Sequence, residues 1–241
     1  MTMPPDRPEP VDLLLDAVGR SDLVDLTHPL VSGMPVWPGH PDFCQTAMSS
    51  LARGDASCWH ALSLGEHTGT HFDAPSHFVE GGWSIAQAPL GRFFGRMVTI
   101  PANGLAPCSA VPADAIVAWE AEHGPIAPGD AVFFHFGWDR FWTAEPEAFL
   151  AGWPGLSRGA AELLVERAAR IVGSDCLSVD PFGSPDFPAH LTLLGAGILI
   201  GENFARLGTL PPVCSLAALP LPIVDGSGSP LRAIAFVPRR E

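Results

Sequence analysis

Three imidazoles and a carboxylate fall within eleven residues: His67, His71, Asp73 and His77, in the run EHTGTHFDAPSH that starts at Glu66. A helix cannot gather them. Gly69 and Pro75 disfavour one, and at 100° per residue His71 and Asp73 would point about 200° apart. In extended chain every second residue shares a face, so the four project the same way unless a turn intervenes. Neutral imidazole nitrogen and carboxylate oxygen suit Zn2+ and, with more oxygen and water, Mn2+. A His/Asp set with no thiolate near it leaves a coordination position for water, unlike the closed four-cysteine sites that serve structure. The chemistry this allows is hydrolysis, because such an ion acidifies water toward neutrality and polarises a carbonyl.

Density separates this run from ordinary histidines. A lone histidine more often completes a hydrogen bond in a core or at a surface than binds an ion, and His28, His40, His60, His123 and His135 are read that way. Glu66 has the opposite parity and is read as a solvated acid. Thr68 and Thr70 are as well placed to satisfy local backbone groups as to touch a substrate. Cys44, Cys58, Cys108, Cys176 and Cys214 show no CxxC spacing and are odd in number, so reduced and mostly buried thiols are expected.

The elements that must position these residues belong to a chain of 241 residues, 47% hydrophobic and 16% charged. That is enough apolar material for one compact domain over 11–241, preceded by a flexible, Pro-rich arm over 1–10. A formal charge of −13 repels a phosphate backbone, so no nucleic-acid partner is expected. The longest apolar segment, 191–201, is far short of the roughly 20 residues that cross a bilayer, and the first ten residues lack the character of a secretory signal. A cytoplasmic protein with no membrane partner is the expectation.

Short runs rich in β-branched and aromatic residues predict strands over 23–26, 59–67, 96–100, 131–136, 176–179, 198–201 and 231–237. Helices are predicted over 11–18 and 112–122, and a short one near Pro188 carries His190. A longer helix over 157–172 is predicted from Ala160, Leu163, Leu164, Ala168 and Ile171 on one face, with Ser157 capping its start and Gly173 its end. Strands and helices intermingle without regular βαβ alternation, so the class is α/β with a mixed sheet.

The run HTGTHFDAPSHF resembles the HxGTHxDxPxH motif of the cyclase family of metal hydrolases, which includes bacterial kynurenine formamidases and isatin hydrolases. DLTHPL from Asp25, GMPVWPG from Gly33, Gly129-Asp130 followed by Gly137-Trp138, GSDCLSVD from Gly173, HLTLLGAGILIGEN from His190 and DGSGSPLR from Asp225 resemble further family blocks in the same order. The resemblance covers nearly the whole chain, and its central motif is the most specific part. It implies a swivelling β/β/α domain, a mixed central sheet flanked by helices, assembled as a homodimer or homotetramer. It also implies two Zn2+ ions per chain, with Mn2+ as the alternative. His67 and His71 would hold the first ion, Asp73 would bridge, His190 would bind the second, and Glu202 would be shared. His77 is similar to the family's proton-transfer histidine, and Trp37 to an aromatic residue of the substrate pocket. Neither His190 nor Glu202 is singled out by spacing alone. The acid at Glu202 favours two ions over the single manganese of isatin hydrolases, which carry an amide-type residue there.

The function implied is hydrolysis of an amide or formamide bond in a small aromatic molecule, with N-formylkynurenine the leading candidate. The runner-up is hydrolysis of another cyclic amide, imide or lactone, and a third reading is a non-catalytic metal or small-molecule binder. Two departures bear on the substrate. Residues 141–153 read as an enlarged loop able to reshape the pocket. The chain also contains no tyrosine, so Trp, Phe and His must line the cavity.

Overall fold

Pairing partners decide which apolar runs become strands here. The computed structural model describes residues 9–239; of the arm expected over 1–10, residues 1–8 lie outside the described residues and Pro10 already opens a helix. The strands are β1 (Ser21–Asp25), β2 (Cys44–Ser49), β3 (Trp59–Ser63), β4 (His71–Asp73), β5 (Phe94–Pro101), β6 (Ala110–Val111), β7 (Ala131–His135), β8 (Gly155–Leu156), β9 (Ile171–Ser174), β10 (Leu199–Glu202), β11 (Val213–Pro220) and β12 (Gly228–Pro238). The helices are α1 (Pro10–Gly19), α2 (Ala113–His123), α3 (Phe141–Ala144), α4 (Pro146–Phe149), α5 (Arg158–Glu166) and α6 (Pro188–Gly195). No helix among the described residues is long and apolar enough to cross a membrane.

Eight strands form one mixed sheet in the order β1-β12-β11-β5-β7-β9-β10-β4, and the start of β12 also pairs with β4, so the sheet closes into a barrel-like ring. β5, β7, β9 and β10 run parallel and the other pairings are antiparallel. The parallel strands are apolar almost throughout, as burial on both faces requires. Val98, Val132, Val172 and Ile200 form one in-register row that ends on Asp73. That row packs with Leu164 of α5 and Leu193 of α6 into one core, while Met97, Phe133, Ile171 and Leu199 alternate into a second core with Phe72 and Phe204. Each fully buried side chain of this size contributes about 1.5–3 kcal/mol of transfer free energy. The functional carboxylate is thereby anchored to the stiffest part of the sheet.

Several expectations need correction. The helix predicted over 157–172 keeps its Ser157 cap, whose Oγ accepts from the Ala160 N–H, but it ends at Glu166 because Ala168 turns left-handed at φ 54°. Ile171 and Gly173 then belong to β9, so an apolar run with helical period contained a buried strand. The strand predicted over 176–179 is a loop, and the one over 59–67 stops at Ser63. β2, β4, β6, β8 and β11 were not anticipated. The enlarged loop over 141–153 is two short helices and a turn that leads into Trp153, with Trp142, Phe149 and Trp153 in the core. All five thiols are free, but Cys44, Cys58 and Cys108 are exposed.

Candidate active site

β4 is only three residues long, and it is fixed because it is paired on both edges. Glu202 of β10 lies opposite His71 and Ile200 opposite Asp73, while Pro230 and Gly228 of β12 flank the same two residues. Alternation puts His71, Asp73 and Glu202 on one face. The other two histidines of the motif arrive by turns. Gly69 adopts φ 66°, and a Cβ there would meet Leu30 Cδ2 at 2.9 Å, so only glycine makes this turn without strain. It folds His67 back over β4. A Cβ on Gly228 would lie 2.6 Å from His67 Cε1, so that glycine gives the ring its seat. The 3-10 turn Pro75–His77 then stacks His77 on His67, with ring centroids 4.0 Å apart. The four residues converge, His71 and Asp73 by alternation along β4 and His67 and His77 through the two turns.

His190 comes from the first turn of α6. Asp180 holds it three ways: its oxygens accept from the Ala189 and His190 backbone N–H groups at 2.8 and 3.0 Å, and from His190 Nδ1 at 2.7 Å. That leaves Nε2 facing inward. His71 donates Nδ1–H to the Gly69 carbonyl at 2.8 Å and likewise turns Nε2 inward.

The two carboxylates each divide their oxygens between two groups of imidazoles. Asp73 Oδ1 is 2.6 Å from His67 Nδ1 and 3.2 Å from His71 Nε2, while Oδ2 faces His190 Nε2 at 3.5 Å. Glu202 Oε2 is 3.5 Å from His71 Nε2, and Oε1 is 3.3 Å from His190 Nε2. His71, Asp73 and Glu202 thus bring donor atoms within 4.8 Å of one another, as do His67, Asp73 and His77. His71 Nε2 and Asp73 Oδ2 are buried without a hydrogen-bond partner. Buried lone pairs that converge and lack donors are the signature of a cation site, and the donor chemistry fits a divalent ion.

Electrostatics agree with that fit. Burial alone would lift Asp73, but His67, His190 and His71 around it hold its carboxyl well below the usual range. Burial, and then the neighbouring Asp73 charge, push Glu202 up. His190 is drawn well above the usual imidazole value because Asp180, Asp73 and Glu202 outweigh the effect of burial. His77 behaves oppositely: burial, aided by the imidazoles of His67, His190 and His71 against Asp73, pushes it down to about 4. It is a neutral ring at neutral pH.

A cavity of about 170 Å³ opens directly on these groups, walled by Trp37, Phe78, Leu177 and Phe187, with His40 and Ser178 as its other polar residues. Trp37, expected in the pocket, is there. His40, read from sequence as an ordinary histidine, also lines it, and burial lowers its pKa.

The family model described as "Putative cyclase" matches residues 24–181, about two thirds of the chain. The chain belongs to the cyclase family. It is 32% identical to isatin hydrolase of Roseibium aggregatum, over 92% of this chain and 94% of that protein. It is 30% identical to kynurenine formamidase of Erythrobacter litoralis, over 87% and 91% of the respective chains. Isatin hydrolase A from Labrenzia aggregata, solved bound to benzyl benzoate, superposes with a TM-score of 0.87 at 33% identity, covering 96% of this chain and all of that one. Within the cyclase family, then, this is a metal-dependent hydrolase close to both kinds of enzyme.

Three residues around the site were not picked out from sequence. Asp180 lies in the GSDCLSVD block but is far from the motif along the chain, and only the fold reveals that it orients His190. Ser227 sits 2.9 Å from His67 Nε2. Glu66, read as solvated, instead accepts from the Ser227 backbone N–H and hydroxyl at 2.9 and 2.7 Å. The parity argument failed for Glu66 because residues 66–70 form a turn, in which alternation has no meaning.

Proposed function

We propose that the protein hydrolyses an amide or formamide bond in a small aromatic substrate, with two divalent ions, Zn2+ or Mn2+, held in the site. His67, His71 and Asp73 hold the first ion; His190 holds the second, and Asp73 and Glu202 are shared between them. The observation that carries this reading is that each carboxylate turns one oxygen to His71 and the other to His190, at the floor of an aromatic-walled cavity. Divalent ions bound there supply an acidified water and an electrophile for the carbonyl. His77, neutral and stacked over His67, takes the proton of the attacking water and returns it to the leaving nitrogen. Trp37, Phe78 and Phe187 hold the ring of the substrate and exclude bulk water.

N-formylkynurenine, the substrate suggested by the names of several relatives, is the first to test. The cavity lining favours a second reading as well. Among the described residues it contains no Lys or Arg to pair with an amino-acid carboxylate, which suits an uncharged cyclic amide such as isatin. Turnover of both compounds by Zn2+- and Mn2+-loaded protein decides between them. The wild type is expected to hydrolyse at least one, and His77→Ala to lose about 10²–10⁴-fold in kcat while retaining its metal content. Metal retention with no turnover of either compound, or of other lactams, imides and lactones, would leave a binding protein instead.

A further inference from the structure

His67, His71 and His190, the three imidazoles proposed as ligands, each have one ring nitrogen tied away from the floor of the site, and the partners differ. His71 uses the Gly69 carbonyl and His190 the Asp180 carboxylate. His67 alone is held through a hydroxyl: its Nε2 is 2.9 Å from Ser227 Oγ, which is itself 2.7 Å from Glu66 Oε2. Proton counting fixes the direction of this chain. A carboxylate only accepts, so the single Ser227 hydroxyl hydrogen goes to Glu66, and Oγ must then accept from His67. His67 therefore donates through Nε2 on this side, and Nδ1, 2.6 Å from Asp73 Oδ1, is the nitrogen that turns to the floor of the site.

We infer that Glu66 and Ser227 are positioning residues: they set the tautomer and orientation of His67 and so tighten the hold of the His67–His71–Asp73 subsite on a divalent ion. The local structure is built for it. Glu66 Oε2 also accepts from the Ser227 backbone N–H at 2.9 Å, which fixes where the hydroxyl can stand. The Ser227 carbonyl accepts from the Ala74 N–H at 2.8 Å, tying the same turn to the residue after Asp73. Glu66 and His67 are adjacent in sequence, and Ser227 is 160 residues further on, so the relay exists only in the closed sheet. Groups that bind the far nitrogen of a ligating histidine typically change metal affinity by about 10–100-fold when removed.

The inference rests on the metal-site reading above. Its test is competition of wild type, Ser227→Ala, Ser227→Thr and Glu66→Gln against a chromophoric chelator for Zn2+, with long-range proton–nitrogen spectra of the zinc-loaded histidines. Ser227→Ala removes the hydroxyl but keeps the backbone N–H that Glu66 accepts, so the turn stays stapled. Expected are a roughly 10–100-fold weaker Zn2+ affinity and loss of the protected His67 Nε2–H signal for Ser227→Ala. Glu66→Gln should show a smaller loss, Ser227→Thr should restore both readouts, and the metal-free melting temperatures should agree across the set. Unchanged affinity with a retained Nε2–H signal in Ser227→Ala overturns the relay, and so does an affinity loss matched by a lower metal-free melting temperature, which marks a mere staple. A wild type that binds no Zn2+ overturns the metal-site reading, and the relay with it, which is a different result from equal binding by wild type and variants.

Discussion

Asp180 shows how much of the site depends on a single side chain outside the central motif. It accepts from the first two N–H groups of α6 that face it and from His190 Nδ1, so one carboxylate both caps the helix and aims the ring. Asp180→Ala is expected to lower the number of Zn2+ ions retained after dialysis from two to one per chain, and to cost about 1 kcal/mol through the lost cap. Elemental analysis with urea unfolding checks both; two ions retained would refute the assignment of His190 to a second ion. His28 allows a prediction on pH. It is stacked on Trp142 at 4.2 Å, its Nε2 has no partner, and burial, against the Asp139 charge, pushes its pKa down to about 4. Between pH 6.5 and 4 the unfolded chain binds a proton that the native protein refuses, so stability is present above 6.5 and is lost as pH falls through that window. The gap corresponds to about 3 kcal/mol. His28→Phe keeps the stack and removes the proton, so its urea midpoint should fall less than that of wild type between pH 7 and 4; parallel curves would count against it. At this scale the ligating types were legible at 67–77, where four donors crowd one short run. Asp180, Ser227 and His40 were not, because each acquires its role from a contact made across the fold.

Elements were legible where one physical signal dominated. β7 reads as Ala-Val-Phe-Phe-His and is buried on both faces; α6 was found near Pro188, a residue suited to a first helical turn. β4 has three residues and no pattern of its own, and it is a strand only because β10 and β12 both hold it. β11 has a single β-branched residue, Val213, ahead of a run of Leu and Ala that marks no strand, and is recruited by its neighbours β5 and β12. The segment 141–153 misleads in the other direction, since its Pro, Gly and acids suggest an open loop while its aromatics are inserted in the core. Phe149 is fully buried, its carbonyl accepts from Trp138 Nε1, and Trp153 meets the pocket residue Trp37 edge-on at 5.9 Å. The segment therefore buttresses the pocket from behind and does not overhang it. Phe149→Ala should destabilise by about 3–5 kcal/mol, measured by urea unfolding. A cost below about 1 kcal/mol would mean that the segment is a loop after all.

At the scale of the whole molecule the mixed sheet was legible from interspersed strands and helices, but its closure was not, because the β12–β4 pairing joins residues about 160 apart through only three positions. The closed sheet leaves β2 and β3 outside it, as a separate two-stranded ribbon. That ribbon is exposed along nearly all of both strands, including Met48, Trp59 and Leu62, each at least half accessible. A lone two-stranded ribbon is marginally stable in water, and a large apolar surface on it calls for cover. Leu13, Leu14 and Leu15 of α1 and Leu23 of β1 are exposed as well. We propose a second copy of the chain as the occupant, since residues 44–63 join the pocket residue His40 to His67, and burying the ribbon in a symmetric interface would also fix the mouth of the cavity. A stable interface of this kind covers roughly 800 Å² per partner. Light scattering at micromolar concentration should therefore find a dimer or a tetramer. The double variant Trp59→Lys with Leu62→Lys should shift it toward monomer, because two ammonium groups per copy would have to be desolvated on association. The variant's affinity for Zn2+ should stay near that of wild type, since no ligand lies on the ribbon. If wild type is monomeric at every concentration, the ribbon stands alone and the expected assembly is wrong.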